Sequence, residues 1–129
     1  MKDSRGFLVF WLVNSLIFYF VPYVLSSMVV TGNARLTPFM ASIISGFLLT
    51  AVDAAIEPVF RNLKIKLTSD WQWILAYLFA NVLGIWVLAR YADLTGVGIS
   101  NAWVALLLGL ILNVAQLTSW KLMPNPKKN

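Results

Sequence analysis

The chain has 129 residues, 60% of them hydrophobic and 12% charged, with a formal net charge of +5 and neither cysteine nor histidine. A soluble domain of this size carries about 25% charged residues, so the composition excludes an ordinary water-facing globule and points to a chain solvated by lipid. Disulfides, Cys/His metal sites, thiol nucleophiles and imidazole chemistry are excluded too, and basic residues that sit at the ends of apolar stretches without forming a stripe argue against nucleic-acid binding.

A spanning helix needs roughly 20 mainly apolar residues. Four segments reach that length, about 6–30, 38–60, 71–91 and 101–122. The first follows Lys2 and Arg5 in the manner of a secretory signal. Its apolar part, Gly6 to Val30, exceeds the roughly 7–15 residues of such a signal and has no small-x-small cleavage site, so an uncleaved first helix is expected. Thr37 followed by Pro38 is a cap residue and then a proline where a missing N–H costs nothing, which starts the second helix. Ser69 with Gln72 three residues later fits a capping box for the third, and Ser100 or Asn101 can cap the fourth. Pro124 and Pro126 stop the last helix ahead of Lys127 and Lys128. Apolar residues run around the whole circumference of each segment, the pattern of a helix with lipid on one side and packing on the other.

The basic residues set the orientation. Lys2, Arg5, Arg61, Lys64, Lys66, Lys121, Lys127 and Lys128 fall on one side, against Arg35 and Arg90 on the other, so both ends and the central loop are expected in the cytoplasm and the protein in the inner membrane. Trp11, Trp71, Trp73 and Trp120 fall near the inner interface and Tyr23, Tyr91 and Trp103 near the outer one. Trp86 falls deeper and reads as a packing residue.

The two halves resemble each other. Placing Asn14 of "FWLVNSLIFYF" on Asn81 of "YLFANVLGIWV" aligns the first and third helices. After a four-residue difference in loop length, "MASIISGFLLTAVD" lies over "WVALLLGLILNVAQ", with Gly46 on Gly109 and Asp53 on Gln116. Both hairpins start on the inner side, so the repeat would be parallel, with its axis along the membrane normal. The expected fold is an all-α integral membrane four-helix bundle, one transmembrane domain over residues 1–129, built from two such hairpins. Ala41, Ser42, Ser45, Gly46, Gly84 and Gly109 supply small surfaces that let backbones approach, as small-xxx-small patterns do.

Six polar side chains interrupt the apolar segments: Asn14, Asp53, Glu57, Asn81, Asn113 and Gln116. At 1.5 Å per residue, Asp53 lies about 10 Å from the inner end of its helix and the three asparagines about 12–15 Å deep, so the set converges on the inner half of the bundle. A carboxylate facing lipid is expensive, so Asp53 is expected to face protein or water. Interhelical hydrogen bonding is the structural reading of the cluster, and a proton or cation site centred on Asp53 the functional one. Glu57 precedes Arg61 by one turn at the inner interface and is expected to pair with it as a surface ion pair. No nucleophile stands with a base, no glycine-rich loop cradles phosphate and no metal-ligand spacing occurs, so neither an enzyme nor a cofactor is expected.

These features, "LVNSLIFYFV" with "PFMASIISGFLL", "LFANVLGIWVL" with "GISNAWVALLLGLILN", and the acidic "AVDAAIEPVF" before the basic loop, resemble the small membrane proteins of phage holin family 4. That family has no established catalytic residues, and the resemblance implies a bacterial inner-membrane location. Two function classes follow. One is a non-enzymatic module, held in the lipid bilayer, that packs against copies of itself or a membrane-protein partner. The other is a minimal oligomeric ion or small-molecule transporter or channel using Asp53, which needs a polar path through the outer half as well.

Overall fold

The computed structural model describes residues 4–66 and 68–122. The basic residues Lys2, Lys127 and Lys128 and the prolines at 124 and 126 lie outside the described residues. Among those described, α1 runs over Ser4–Val24, β1 over Val29–Thr31, α2 over Pro38–Ala54, α3 over Ile56–Asn62, α4 over Asp70–Arg90, α5 over Ala92–Thr95, β2 over Val97–Ile99 and α6 over Ala102–Leu122. Four helical stretches are long and apolar enough to cross a membrane, residues 5–24, 38–62, 70–90 and 102–122. They form the all-α four-helix arrangement.

Three boundaries differ from expectation, each for a local reason. The first helix stops at Val24, not at residue 30. Pro22 has no N–H to give to the carbonyl four residues back, and that carbonyl, Phe18 O, instead accepts from Thr31 Oγ1 at 2.7 Å. The chain therefore leaves the helix, turns, and runs as β1 against its end. The second span is broken at Ala55, where Pro58 removes the bond that would fall on Ala54 O, and α3 continues beyond the break. Residues 29–31 and 97–99, expected as helix end and turn, pair as an antiparallel two-stranded sheet with Val30 opposite Gly98.

The expected caps are partly realised. Thr37 Oγ1 accepts from Met40 N at 3.2 Å with Pro38 in the first turn. Gln72 Oε1 accepts from the backbone N–H of Thr68 at 2.9 Å and of Ser69 at 3.4 Å, the returning half of a capping box. Helix α6 starts at Ala102, which leaves Asn101 in the cap position.

Helix α1 packs chiefly along α2, and α4 along α6, giving two hairpins that meet through α1 with α6 and α2 with α4. The half of the bundle nearer β1 and β2 is filled by apolar side chains, including Phe18, Leu49, Ile85, Leu108, Val29 and Val97. Outward faces are apolar as well: Leu8, Leu12, Leu16 and Phe20 form one exposed row at four-residue spacing on α1, and Leu75, Phe79 and Leu83 another on α4. The bundle is thus apolar outside and carries its polar groups inside, the inverse of a soluble four-helix protein. Trp86, expected as a packing residue, is 43% exposed, and the Arg90 guanidinium lies over its ring at 5.0 Å. Four residues separate the two on α4, so the cation folds back along the helix face onto the indole.

Candidate functional site: a buried polar cross-link

Five of the six polar residues singled out in the sequence converge in one cluster in the half of the bundle nearer α3. Asn14 comes from α1, Asp53 from α2, Asn81 from α4, and Asn113 and Gln116 from α6; Asn14, Asp53 and Asn81 are fully buried. Gln116 is the hub. Its Nε2 lies 2.7 Å from Asn14 Oδ1, 3.0 Å from Asp53 Oδ2 and 3.3 Å from Asn81 Oδ1, while its Oε1 accepts from Asn81 Nδ2 at 2.9 Å. One side chain thereby bonds to all three of the other long helices.

Around the hub, Asn14 Nδ2 donates to Thr50 Oγ1 at 2.9 Å, and Thr50 in turn donates to Gly46 O at 2.6 Å. Asn81 Nδ2 reaches Asn113 Oδ1 at 3.5 Å, and Asn113 Nδ2 reaches Ile74 O at 3.4 Å. Thr50 was not singled out in the sequence. Its position three residues before Asp53 on the same helix face was the available signal, but a threonine in an apolar helix equally often bonds only to its own backbone.

The cluster is rich in acceptors. Three oxygens compete for the two hydrogens of Gln116 Nε2, and Asp53 Oδ1 is buried without a hydrogen-bond partner among the described residues. Among the described residues no group of three or more acidic, His or Cys side chains converges. What the arrangement can do chemically is hold four helices in register and present one carboxylate oxygen to a further donor. It holds no group placed as a nucleophile beside a base.

Glu57 stands apart from the network. It lines an inner cavity of about 490 Å³, together with Trp73, Tyr77 and Trp120, whose lining also includes Asn113 and Gln116. The expected ion pair with Arg61 does not form among the described residues. Both residues sit in α3, Glu57 half-buried and Arg61 exposed. Compared with family models, with curated proteins and with solved structures, the chain matches none.

The small residues are spent within the bundle. A Cβ on Gly46 would collide with Ser15 of α1, including its backbone N at 2.8 Å. One on Gly84 would meet Leu49 Cδ1 at 2.7 Å, and one on Gly109 would meet Val82 Cγ2 at 2.6 Å. Ser42 bonds back to Pro38 O at 2.7 Å, and Ser45 donates to Thr95 O at 3.0 Å, tying α2 to α5. Above the cluster, Gly32 N donates to Gly96 O at 2.6 Å and Asn33 Nδ2 to Ala92 O at 2.9 Å, so the two outer loops are bonded to each other.

Proposed function

We propose that the protein is a non-enzymatic, multi-pass module of the bacterial inner membrane, with both sequence ends on the cytoplasmic side, that acts by packing against a second copy or a membrane-protein partner. The carrying observation is the Gln116 cross-link: the polar groups that an ion path would need are bonded to one another across the four spans. Outward of them the interior is apolar, which is no lining for a hydrated ion. Because Gly46, Gly84 and Gly109 are consumed inside, partner contact falls to the lipid-facing rows such as Leu8, Leu12, Leu16 and Phe20.

The parallel repeat is part of this reading, and two contacts support it. Under the alignment of Asn14 with Asn81 and Gly46 with Gly109, Ser15 corresponds to Val82 and Thr50 to Asn113. Gly46 packs on Ser15 as Gly109 packs on Val82, and Asn14 bonds Thr50 as Asn81 bonds Asn113. Antiparallel pairing of β1 with β2 is compatible with a two-fold axis that runs across the strands. The resemblance to phage holin family 4 rests on the sequence motifs alone.

A minimal oligomeric transporter is the second reading, favoured by the unpartnered Asp53 Oδ1. Proton and cation flux into proteoliposomes across pH 5–8 separates the two. The module predicts flux equal to protein-free vesicles; flux that Asp53→Asn abolishes and Glu57→Gln spares would overturn it.

A further inference from the structure

Where α3 leaves the second span and the chain enters α4, a hollow of about 920 Å³ is lined by Arg61, Lys64 and Lys66, with Glu57 the single carboxylate among its lining. Phe60 and Trp73 stack beside it at 6.3 Å between ring centroids. Among the described residues the three cations have no ion-pair partner, so their charge is not spent on the protein itself.

Lys64 adds a second, independent observation. Its φ is +60°, the left-handed conformation that costs a side chain with a Cβ what it does not cost glycine. The backbone explains why: Ile65 N donates to Phe60 O at 2.9 Å and Lys64 N to Arg61 O at 3.1 Å, the paired bonds of a Schellman stop, with Lys64 where glycine ordinarily stands. A lysine there sacrifices helix-end stability and places an ammonium on the hollow.

We propose that this hollow binds the phosphodiester headgroup of an anionic phospholipid, the phosphate against Arg61, Lys64 and Lys66 and the glycerol backbone against Phe60 and Trp73. Three cations against one carboxylate leave a net positive pocket, and basic pockets at the ends of membrane helices suit lipid phosphates. A lipid fits better than free phosphate because the hollow lies between the ends of two spanning segments, at headgroup level, and one wall is aromatic.

Native mass spectrometry of the full chain, released from micelles doped equally with phosphatidylglycerol and phosphatidylcholine of the same acyl chains, tests the proposal. Wild type should retain phosphatidylglycerol preferentially. Each cation replaced by glutamine at 61, 64 or 66 should lower that preference roughly five-fold, whereas Arg5→Gln with Lys121→Gln should leave it unchanged. Lys64→Gly guards against a folding artefact: it should raise the unfolding temperature in phosphatidylcholine nanodiscs while lowering the phosphatidylglycerol preference as much as Lys64→Gln does. Equal retention of the two lipids by wild type, an unchanged preference in the glutamine variants, or displacement of the lipid by millimolar inorganic phosphate would each overturn it.

Discussion

Gln116 Nε2 and Asp53 Oδ2 meet at 3.0 Å across the bundle, an amide donor facing the one carboxylate buried among the spans. In the alignment of the two halves these positions fall on each other, and their difference in chemistry is what lets them bond. Two carboxylates so placed would repel, and the amide supplies the hydrogens that the surrounding oxygens lack.

Removing the hub should therefore cost more than neutralising the acid. Gln116→Leu strands Asn14 Oδ1, Asp53 and part of Asn81, and should destabilise the fold by about 1–3 kcal/mol. Asp53→Asn keeps the shape and adds donors to an acceptor-rich cluster, so it should stay within about 1 kcal/mol of wild type or exceed it. Reversible unfolding in mixed micelles measures both. An Asp53→Asn variant less stable than Gln116→Leu would show that the carboxylate, not the amide, holds the cluster together.

The glycines make a graded series. Gly46→Ala presses a methyl into the backbone of Ser15, which cannot swing aside, and should cost about 1–3 kcal/mol. Gly84→Ala meets only the end of the Leu49 side chain, which can move, and should cost less. A Cβ on Gly98 has nothing within 4 Å, so Gly98→Ala should stay within about 0.5 kcal/mol of wild type. The same unfolding measurement ranks the three, and equal losses at 46 and 98 would contradict the close α1–α2 approach.

Much of this arrangement was legible in the sequence. The four spans, the cap at Thr37 and the convergence of Asn14, Asp53, Asn81 and Asn113 follow from length, proline placement and rise per residue, all local quantities. The break at Ala55 was not expected, since 38–60 read as one span, although Pro58 acts on its own helix and was the available signal. The strand pair was not legible. Residues 29–31 and 97–99 are three-residue runs whose extended form depends on finding each other and on Thr31 reaching the carbonyl that Pro22 frees. The hub role of Gln116 was likewise hidden: four helices had to be assembled before its distances to Asn14 and Asp53 existed. Glu57 and Arg61 show the opposite failure, since spacing favours a pairing that does not form among the described residues.

The strand register gives a covalent test. Ser100 N donates to Met28 O at 2.9 Å and Gly32 N to Gly96 O at 2.6 Å, so the hydrogen-bonded pairs are 28 with 100, 30 with 98 and 32 with 96. Val29 with Ile99 is then a non-hydrogen-bonded pair, with Cα atoms about 4.5 Å apart, inside the range a disulfide spans. The chain has no cysteine of its own. In Val29→Cys/Ile99→Cys, mild oxidation should remove both maleimide-reactive thiols, while Val30→Cys/Ile99→Cys, on opposite faces of the ladder, should keep them. Cross-linking of the second pair alone would place the register one residue off.

Orientation can be read with the same cysteine-free background. Arg61 at the end of α3 and Lys64 and Lys66 after it lie around one hollow, whereas on the opposite side Arg90 is folded over Trp86 and Arg35 sits in the turn in which Asn33 Oδ1 accepts from Arg35 N and Leu36 N. Neither contact removes a charge, so the split of eight basic residues against two stands as in the sequence, and retention of the eight-residue side in the cytoplasm is the expected outcome. Ala34 and Lys64 are both exposed, each in the loop on its own side. In intact cells a membrane-impermeant maleimide should label Ala34→Cys and reach Lys64→Cys only after the membrane is opened. Neutralising Arg61, Lys64 and Lys66 together should leave most molecules in the same orientation, because Lys2, Arg5, Lys121, Lys127 and Lys128 still outnumber Arg35 and Arg90. Labelling of Lys64→Cys from outside in intact cells would reverse the assignment and place the basic hollow, with any lipid it binds, in the outer leaflet.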